Sequence, residues 1–277
     1  MRAFVIGQPI AHSLSPVLHE AAYEALGLGD WSFSRVEVAP EQLEEFVSSI
    51  SSDVAGVAVT MPHKQQVMGL LDAIEPLAEG VGAVNTIVPA GKVLSGFNTD
   101  VHGIVKAISE NAQVPKDARA VILGARATAS STLAALGQLH VGSIATVARS
   151  FAGPGSITFA ETRLGLATEH VPWRDEERVV EELRSGDVIV STLPTGVADY
   201  WAERFVPKSG SVILDVSYNP WPSKLAKLGM EAGAHVVSGY SMLLHQACLQ
   251  VELMTGRSAP VEAMRGALKK ATMLTNL

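Results

Sequence analysis

Short apolar runs rich in Val and Ile alternate along this chain with stretches whose apolar residues recur at helical spacing, and that alternation confines the fold to an α/β architecture with parallel strands. In the first part, residues 3–6, 33–38, 54–59 and 86–88 read as strands, with helices over 16–26, 40–50 and 63–71 between them. A second series opens near Ala118. Residues 120–124 read as a buried strand, 127–136 as the helix after it, and 144–147, 188–191, 212–216 and 235–237 as further strands of a doubly wound sheet. Two helices, 240–254 and 261–273, follow, and their position argues that they return to pack on the first domain. A length of 277 residues, 47% hydrophobic and 18% charged, is enough for two such cores. The expected organisation is an α/β domain over 1–102, a Rossmann-like parallel-sheet domain over 103–238, and C-terminal helices over 239–277. The polar stretch 111–117, which carries Pro115, reads as the linker.

Composition excludes several function classes. The formal net charge is −7 and no Lys/Arg run appears, so a nucleic-acid partner is not expected. The N-terminal apolar run is broken at once by Gln8, Pro9 and His12, which reads as a strand rather than a signal peptide. No apolar stretch approaches the roughly 20 residues a membrane helix needs, so no membrane association and a cytoplasmic location are expected. The single cysteine, Cys248, excludes an internal disulfide and sits in an apolar helical pattern as a packed thiol. The eight histidines show no ligand spacing, and no metal site is expected.

Three polar clusters stand out against the apolar strands. Ser13 and Ser15 precede a helix whose first position suits Pro16; Ser15 reads as an N-cap, or the two hydroxyls beside free helix N–H groups make a site for an anion such as a carboxylate. Lys64, in Val59-Thr60-Met61-Pro62-His63-Lys64, falls beyond the carboxyl end of a strand, where ligands collect in open α/β sheets. A helix start disfavours an added positive charge and eases proton exchange from it, so lysine is an unusual decoration there; the plain alternative is a solvated surface lysine. In Gly96-Phe97-Asn98-Thr99-Asp100, either Thr99 or Asp100 caps the helix that follows, or Asp100 faces Lys64 and completes a proton-transferring pair. Spacing alone does not show that the two meet.

Those clusters, with Gly82-Ala83-Val84-Asn85-Thr86 and Gly239-Tyr240-Ser241-Met242-Leu243-Leu244-His245-Gln246, resemble the ordered signatures of the shikimate dehydrogenase family over nearly the whole chain. The resemblance implies that 1–102 is a substrate-binding catalytic domain and 103–238 an NADP-binding one. It implies that Ser13 and Ser15 bind the substrate carboxylate, that Thr60, Asn85 and Gln246 hold ring hydroxyls, and that Lys64 and Asp100 form the catalytic pair beside the C3 oxygen. Tyr218 matches a family tyrosine near substrate and cofactor, and Gly239 would lie against the nicotinamide. The implied reaction interconverts 3-dehydroshikimate and shikimate with NADPH and NADP+ in aromatic amino-acid biosynthesis, by a monomer or homodimer. A quinate/shikimate dehydrogenase of broader choice, and a shikimate-binding regulatory paralogue, are the alternatives.

In the nucleotide domain, Gly124-Ala125-Arg126-Ala127-Thr128-Ala129 stands where a G-x-G-x-x-G/A fingerprint is expected. Gly124 makes the tight turn and Ala129 allows close helix packing, but the middle glycine is Arg126. A side chain there is expected to obstruct the pyrophosphate, and to strain the loop if the position needs positive φ; its guanidinium offsets part of this by turning outward to pair with a phosphate, but the steric effect is expected to win, so that Arg126→Gly would tighten NADPH binding. The next strand ends at Ala148-Arg149-Ser150 with no acidic residue for a ribose 2′-hydroxyl, while arginine there meets a 2′-phosphate, which favours NADP over NAD. Thr192, in Ser191-Thr192-Leu193-Pro194, resembles the family's loop near the nicotinamide.

Overall fold

The computed structural model describes residues 1–153 and 155–274, so that 275–277 of the expected C-terminal segment lie outside the described residues. In chain order the elements are β1 (Arg2–Gly7), α1 (Ser15–Ala25), β2 (Ser32–Glu37), α2 (Leu43–Ser48), β3 (Val54–Val59), β4 (Ala73–Ile74), α3 (Pro76–Val81), β5 (Thr86–Ala90), β6 (Val93–Phe97) and α4 (Asp100–Asn111). There follow β7 (Arg119–Leu123), α5 (Ala127–Gln138), β8 (Ser143–Ala148), α6 (Ile157–Leu164), β9 (Glu169–Pro172), α7 (Glu176–Ser185), β10 (Val188–Ser191) and α8 (Asp199–Ala202). The chain closes with β11 (Val212–Asp215), α9 (Lys224–Glu231), β12 (His235–Ser238), α10 (Gly239–Thr255) and α11 (Val261–Thr272). The chain divides into two compact units, Met1–His102 with Leu243–Leu277, and Gly103–Met242. The division falls inside α4 and α10, and the stretch 111–117 read as a linker connects α4 to β7 within the second unit.

The first unit is built on a six-stranded mixed sheet of order β2-β1-β3-β5-β6-β4. Strands β1, β2 and β3 are parallel, whereas β5 runs antiparallel to β3 and β6 antiparallel to β5. The purely parallel expectation fails here because only Gly91 and Lys92 separate β5 from β6, and a connection that short closes only an antiparallel hairpin. The all-buried run of β3 follows from apolar cover on both faces. Val57 and Val59 pack with Leu43 and Val47 of α2 on one side; Ala58 packs with Tyr23 of α1 and Met254 of α10 on the other. Helix α11 packs against α1. The helix expected over 63–71 is instead a turn followed by a short 3-10 segment, Gln66–Leu70. Val67 of that segment is buried and Met68 and Leu70 pack partly buried against the same core, a patch of little more than one turn that does not sustain a longer α-helix.

The second unit carries a six-stranded sheet of order β12-β11-β10-β7-β8-β9 in which every pairing is parallel. Chain order reverses between β7 and β10, which makes the carboxyl edge there a topological switch point. Val121, Leu123, Val147, Ile189 and Ile213 project from one sheet face into a core completed by Val179, Leu183 and Trp201. Strand β9 is absent from the sequence pattern because it is an edge strand with only Val171 buried.

Candidate functional site

In the first unit, the sheet topology brings the three polar clusters to one edge. Loops leaving β1 and β3 carry Ser13, Ser15, Thr60 and Lys64 past the carboxyl ends of parallel strands. Because β5 is antiparallel to β3, its entry residue Asn85 arrives at the same edge, with its carbonyl accepting from Val59 N at 2.7 Å. Because β6 reverses again, Phe97 pairs with Thr86 and delivers Thr99 and Asp100 there too.

Lys64 Nζ donates to Asp100 Oδ2 at 2.6 Å, with the side chains only 15% and 5% exposed. The other carboxylate oxygen, Asp100 Oδ1, accepts from Asn85 Nδ2 at 2.9 Å. Asp100 therefore does not use its side chain to cap α4; Asn98 Oδ1 accepts from Val101 N at 3.3 Å instead. The helix-start argument for Lys64 falls with the missing α-helix. What singles the lysine out is its hydrogen bond to a carboxylate that is almost wholly buried.

Asn85 is the hub of the cluster. Its Nδ2 also donates to Thr99 Oγ1 at 2.9 Å and to Gln246 Oε1 at 3.4 Å, while its Oδ1 accepts from Thr99 N at 2.8 Å and Thr86 Oγ1 at 2.9 Å. Behind it, Gln250 Nε2 donates to Thr86 Oγ1 at 2.9 Å, and Gln250 Oε1 lies 3.2 Å from His19 Nε2. Full burial pushes the His19 imidazole down to about 4, because its cation would have to be desolvated. Sequence reasoning missed Thr99, Gln250 and His19 as members of this network. The available signal was the four-residue spacing of Gln246 and Gln250, which sets both amides on one face of α10.

Ser13 and Ser15 meet as expected, with Ser13 Oγ donating to Ser15 Oγ at 3.3 Å, but Ser15 is not the cap of α1: Leu14 holds that position and no side chain caps it. Arg35 of β2 fixes the loop from outside, its Nε and Nη2 donating to the Ser13 carbonyl at 2.8 and 2.6 Å. Thr60 stands on the turn between β3 and Lys64, half-buried.

In the second unit, a cavity of about 310 Å³ opens at the switch point. Gly124, Ala125 and Arg126 after β7, Arg149 and Ser150 after β8, and Thr192 after β10 line it. Gly124 has φ of +114°, and a Cβ there would collide with Thr192 Oγ1, so the tight turn requires glycine. Arg126 has φ of −108°, an extended conformation open to any residue, and the strain expected at this position is absent. Ala127 begins α5, whose first turn no side chain caps. The fit to a dinucleotide is good on the structure's own terms: a glycine turn, an uncapped twelve-residue helix and two arginines converge on one cavity with no carboxylate in its lining. Tyr218 and Gly239 do not line this cavity. The Tyr218 ring lies 4.9 Å from that of Tyr240, and burial pushes its phenol above the usual range. A Cβ on Gly239 would strike the Val216 carbonyl, so the missing side chain serves close packing of α10 on the end of β11.

Residues 5–87 match the family model described as the shikimate dehydrogenase substrate binding domain, and residues 239–269 match the shikimate 5'-dehydrogenase C-terminal domain. Over 272 residues, 96% of this chain and 95% of the relative, the sequence is 34% identical to a shikimate dehydrogenase (NADP(+)) of Methanobrevibacter smithii. The crystal structure of Mycobacterium tuberculosis shikimate dehydrogenase aligns at a TM-score of 0.86 and 38% identity, covering 98% of this chain and 99% of that one. The enzyme of Thermus thermophilus, crystallised in complex with NADP(H) and shikimate, aligns at a TM-score of 0.84 and 28% identity over 98% and 99% of the two chains. With relatives this similar along its whole length, the chain belongs to the shikimate dehydrogenase family.

Proposed function

We propose that this protein catalyses the reversible, NADP-dependent interconversion of 3-dehydroshikimate and shikimate in aromatic amino-acid biosynthesis, in the cytoplasm, as a monomer or homodimer. The observation that carries the reading is the Lys64–Asp100 pair, a 2.6 Å hydrogen bond between nearly buried charges at the edge of the first unit's sheet. The first unit takes the substrate and the second the nucleotide.

Ser13 and Ser15 present two hydroxyls to the substrate carboxylate, held by the loop that Arg35 pins. Thr60, Asn85 and Gln246 orient the ring hydroxyls; Asn85 and Gln246 are themselves fixed by Thr99 and Thr86, so their rotamers are set before substrate arrives. Bound NADPH supplies the hydride that reduces the C3 carbonyl. Lys64 Nζ delivers a proton to the C3 oxygen and Asp100 stabilises the ammonium that does so; in the oxidising direction the same pair removes it. Gly124, Ala125 and Thr192 border the pyrophosphate and nicotinamide side of the nucleotide cavity, with Ala127 opening α5 beside them, and Arg149 and Ser150 border the ribose side. Tyr218 and Gly239 belong to the second unit and flank the reacting ends.

A regulatory protein that binds shikimate without using a nucleotide would rest on obstruction and strain at Arg126, and the extended backbone at that residue removes the strain. The direct test is consumption of NADPH on addition of 3-dehydroshikimate, with NADH and with quinate in the reverse direction as comparisons. No turnover by a folded protein that binds both ligands overturns the enzymatic reading.

A further inference from the structure

Arg126 and Arg149 line the same cavity, and among the described residues neither forms an ion pair. Two guanidiniums sharing a cavity repel each other, and an arrangement of this kind is stable only when solvated or when an anion sits between them. The Arg149 guanidinium lies over the Trp173 ring, 5.4 Å from its centroid, so that this exposed side chain stands at the cavity wall. Arg126 reaches the same region from the other side. Its Nη1 lies 3.5 Å from where a Cβ on Gly153 would stand, so the side chain extends from the start of α5 towards the loop after β8. That loop is already tied to the glycine turn, since Ile157 N donates to Ala125 O at 3.0 Å.

The direction of Arg126 decides between two phosphates. In a doubly wound nucleotide domain the pyrophosphate lies over the N-terminus of the first helix, here α5, and the adenosine ribose meets the end of the second strand, here β8. The guanidinium reaches towards the loop that follows the latter. A phosphomonoester carries close to two negative charges at neutral pH and three acceptor oxygens, a demand that one arginine half meets and two satisfy. We propose that Arg126 and Arg149 together grip the 2′-phosphate of NADP(H), which makes Arg126 a specificity-determining residue for the phosphorylated nucleotide. This assignment rests on the functional reading above and reverses the expectation that obstruction by Arg126 outweighs its pairing with a phosphate.

Calorimetric titration with NADP+, NAD+, 2′,5′-ADP and 5′-ADP tests it without turnover. Position 126 is exposed and extended, so R126Q is compatible with the fold, and an unchanged melting temperature confirms it. R126Q should weaken NADP+ and 2′,5′-ADP by about 10- to 100-fold, the range of a charge-assisted hydrogen bond, and leave NAD+ and 5′-ADP within about twofold. R149Q should behave likewise, and R126K should fall between wild type and R126Q because it keeps charge but loses the fork. Equal weakening of NADP+ and NAD+ would make Arg126 a pyrophosphate ligand and overturn the assignment. So would tightening of both, the mark of steric obstruction, or no change in either. A wild-type protein that binds neither dinucleotide overturns the functional reading itself, and the assignment with it.

Discussion

At the scale of single residues, the proposed role of the Lys64–Asp100 pair would tie catalysis to stability. Lys64→Ala should lower turnover by at least about 10²-fold with a smaller effect on KM for shikimate, the signature of a proton-transferring group. It also leaves a carboxylate that is 5% exposed without its cation, so the variant should melt lower than wild type. Asp100→Asn should lower turnover similarly, and the double variant should be less than additive in turnover while recovering part of the lost stability. Full additivity in both measurements would separate the two residues. Both are legible as candidates in the sequence, since each is a charged residue just past an apolar strand. Their meeting is not, because it depends on the hairpin β5–β6 turning Asp100 back to the edge that Lys64 occupies. Thr99 reads in the sequence as an alternative cap and in the fold braces Asn85, a role decided by hydrogen bonds between residues 14 apart.

At the scale of elements, α10 presents Gln246 and Gln250 to the sheet edge on successive turns, and Gln250 closes a chain of bonds that ends at His19. His19 is neutral in the fold because burial depresses its titration to about 4, against 6.5 in a solvated chain. Between those values the unfolded state binds the extra proton, so the stabilisation is complete above about pH 6.5 and is lost as pH falls through 4. The full difference is on the order of 3 kcal/mol. Urea midpoints measured from pH 7 down to pH 4 should decline in the wild type and decline less in His19→Gln; parallel curves would remove His19 from the acid transition. Helix and strand positions for the long periodic segments are legible, because their apolar spacing is set by the core they face. The segment 63–71 is not, although Val67 joins the core and Met68, Leu70 and Leu71 pack against it: that apolar spacing suits a helical face as well as the turn and short 3-10 segment that forms.

At the scale of the whole molecule, all the residues lining the second unit's cavity come from one unbroken stretch, whereas the first unit is assembled from both ends of the described chain. A fragment spanning 103–242 has its own sheet and core, and should melt cooperatively and bind 2′,5′-ADP within about 10-fold of the intact protein. A fragment that is unfolded in solution would show that the second unit depends on the first. The discontinuity also sets an order of events during synthesis. Residues 1–102 leave the ribosome first, but Gln246 and Gln250, which brace Asn85 and Thr86, are translated after the entire nucleotide unit. The shorter-range contacts of 103–242 close while the N-terminal sheet still waits for α10 and α11, so the polar edge of the first unit is completed after the second unit. A message cut shortly before codon 243 would therefore yield a chain that keeps the whole second unit but lacks Gln246 and Gln250, the two amides that brace Asn85 and Thr86.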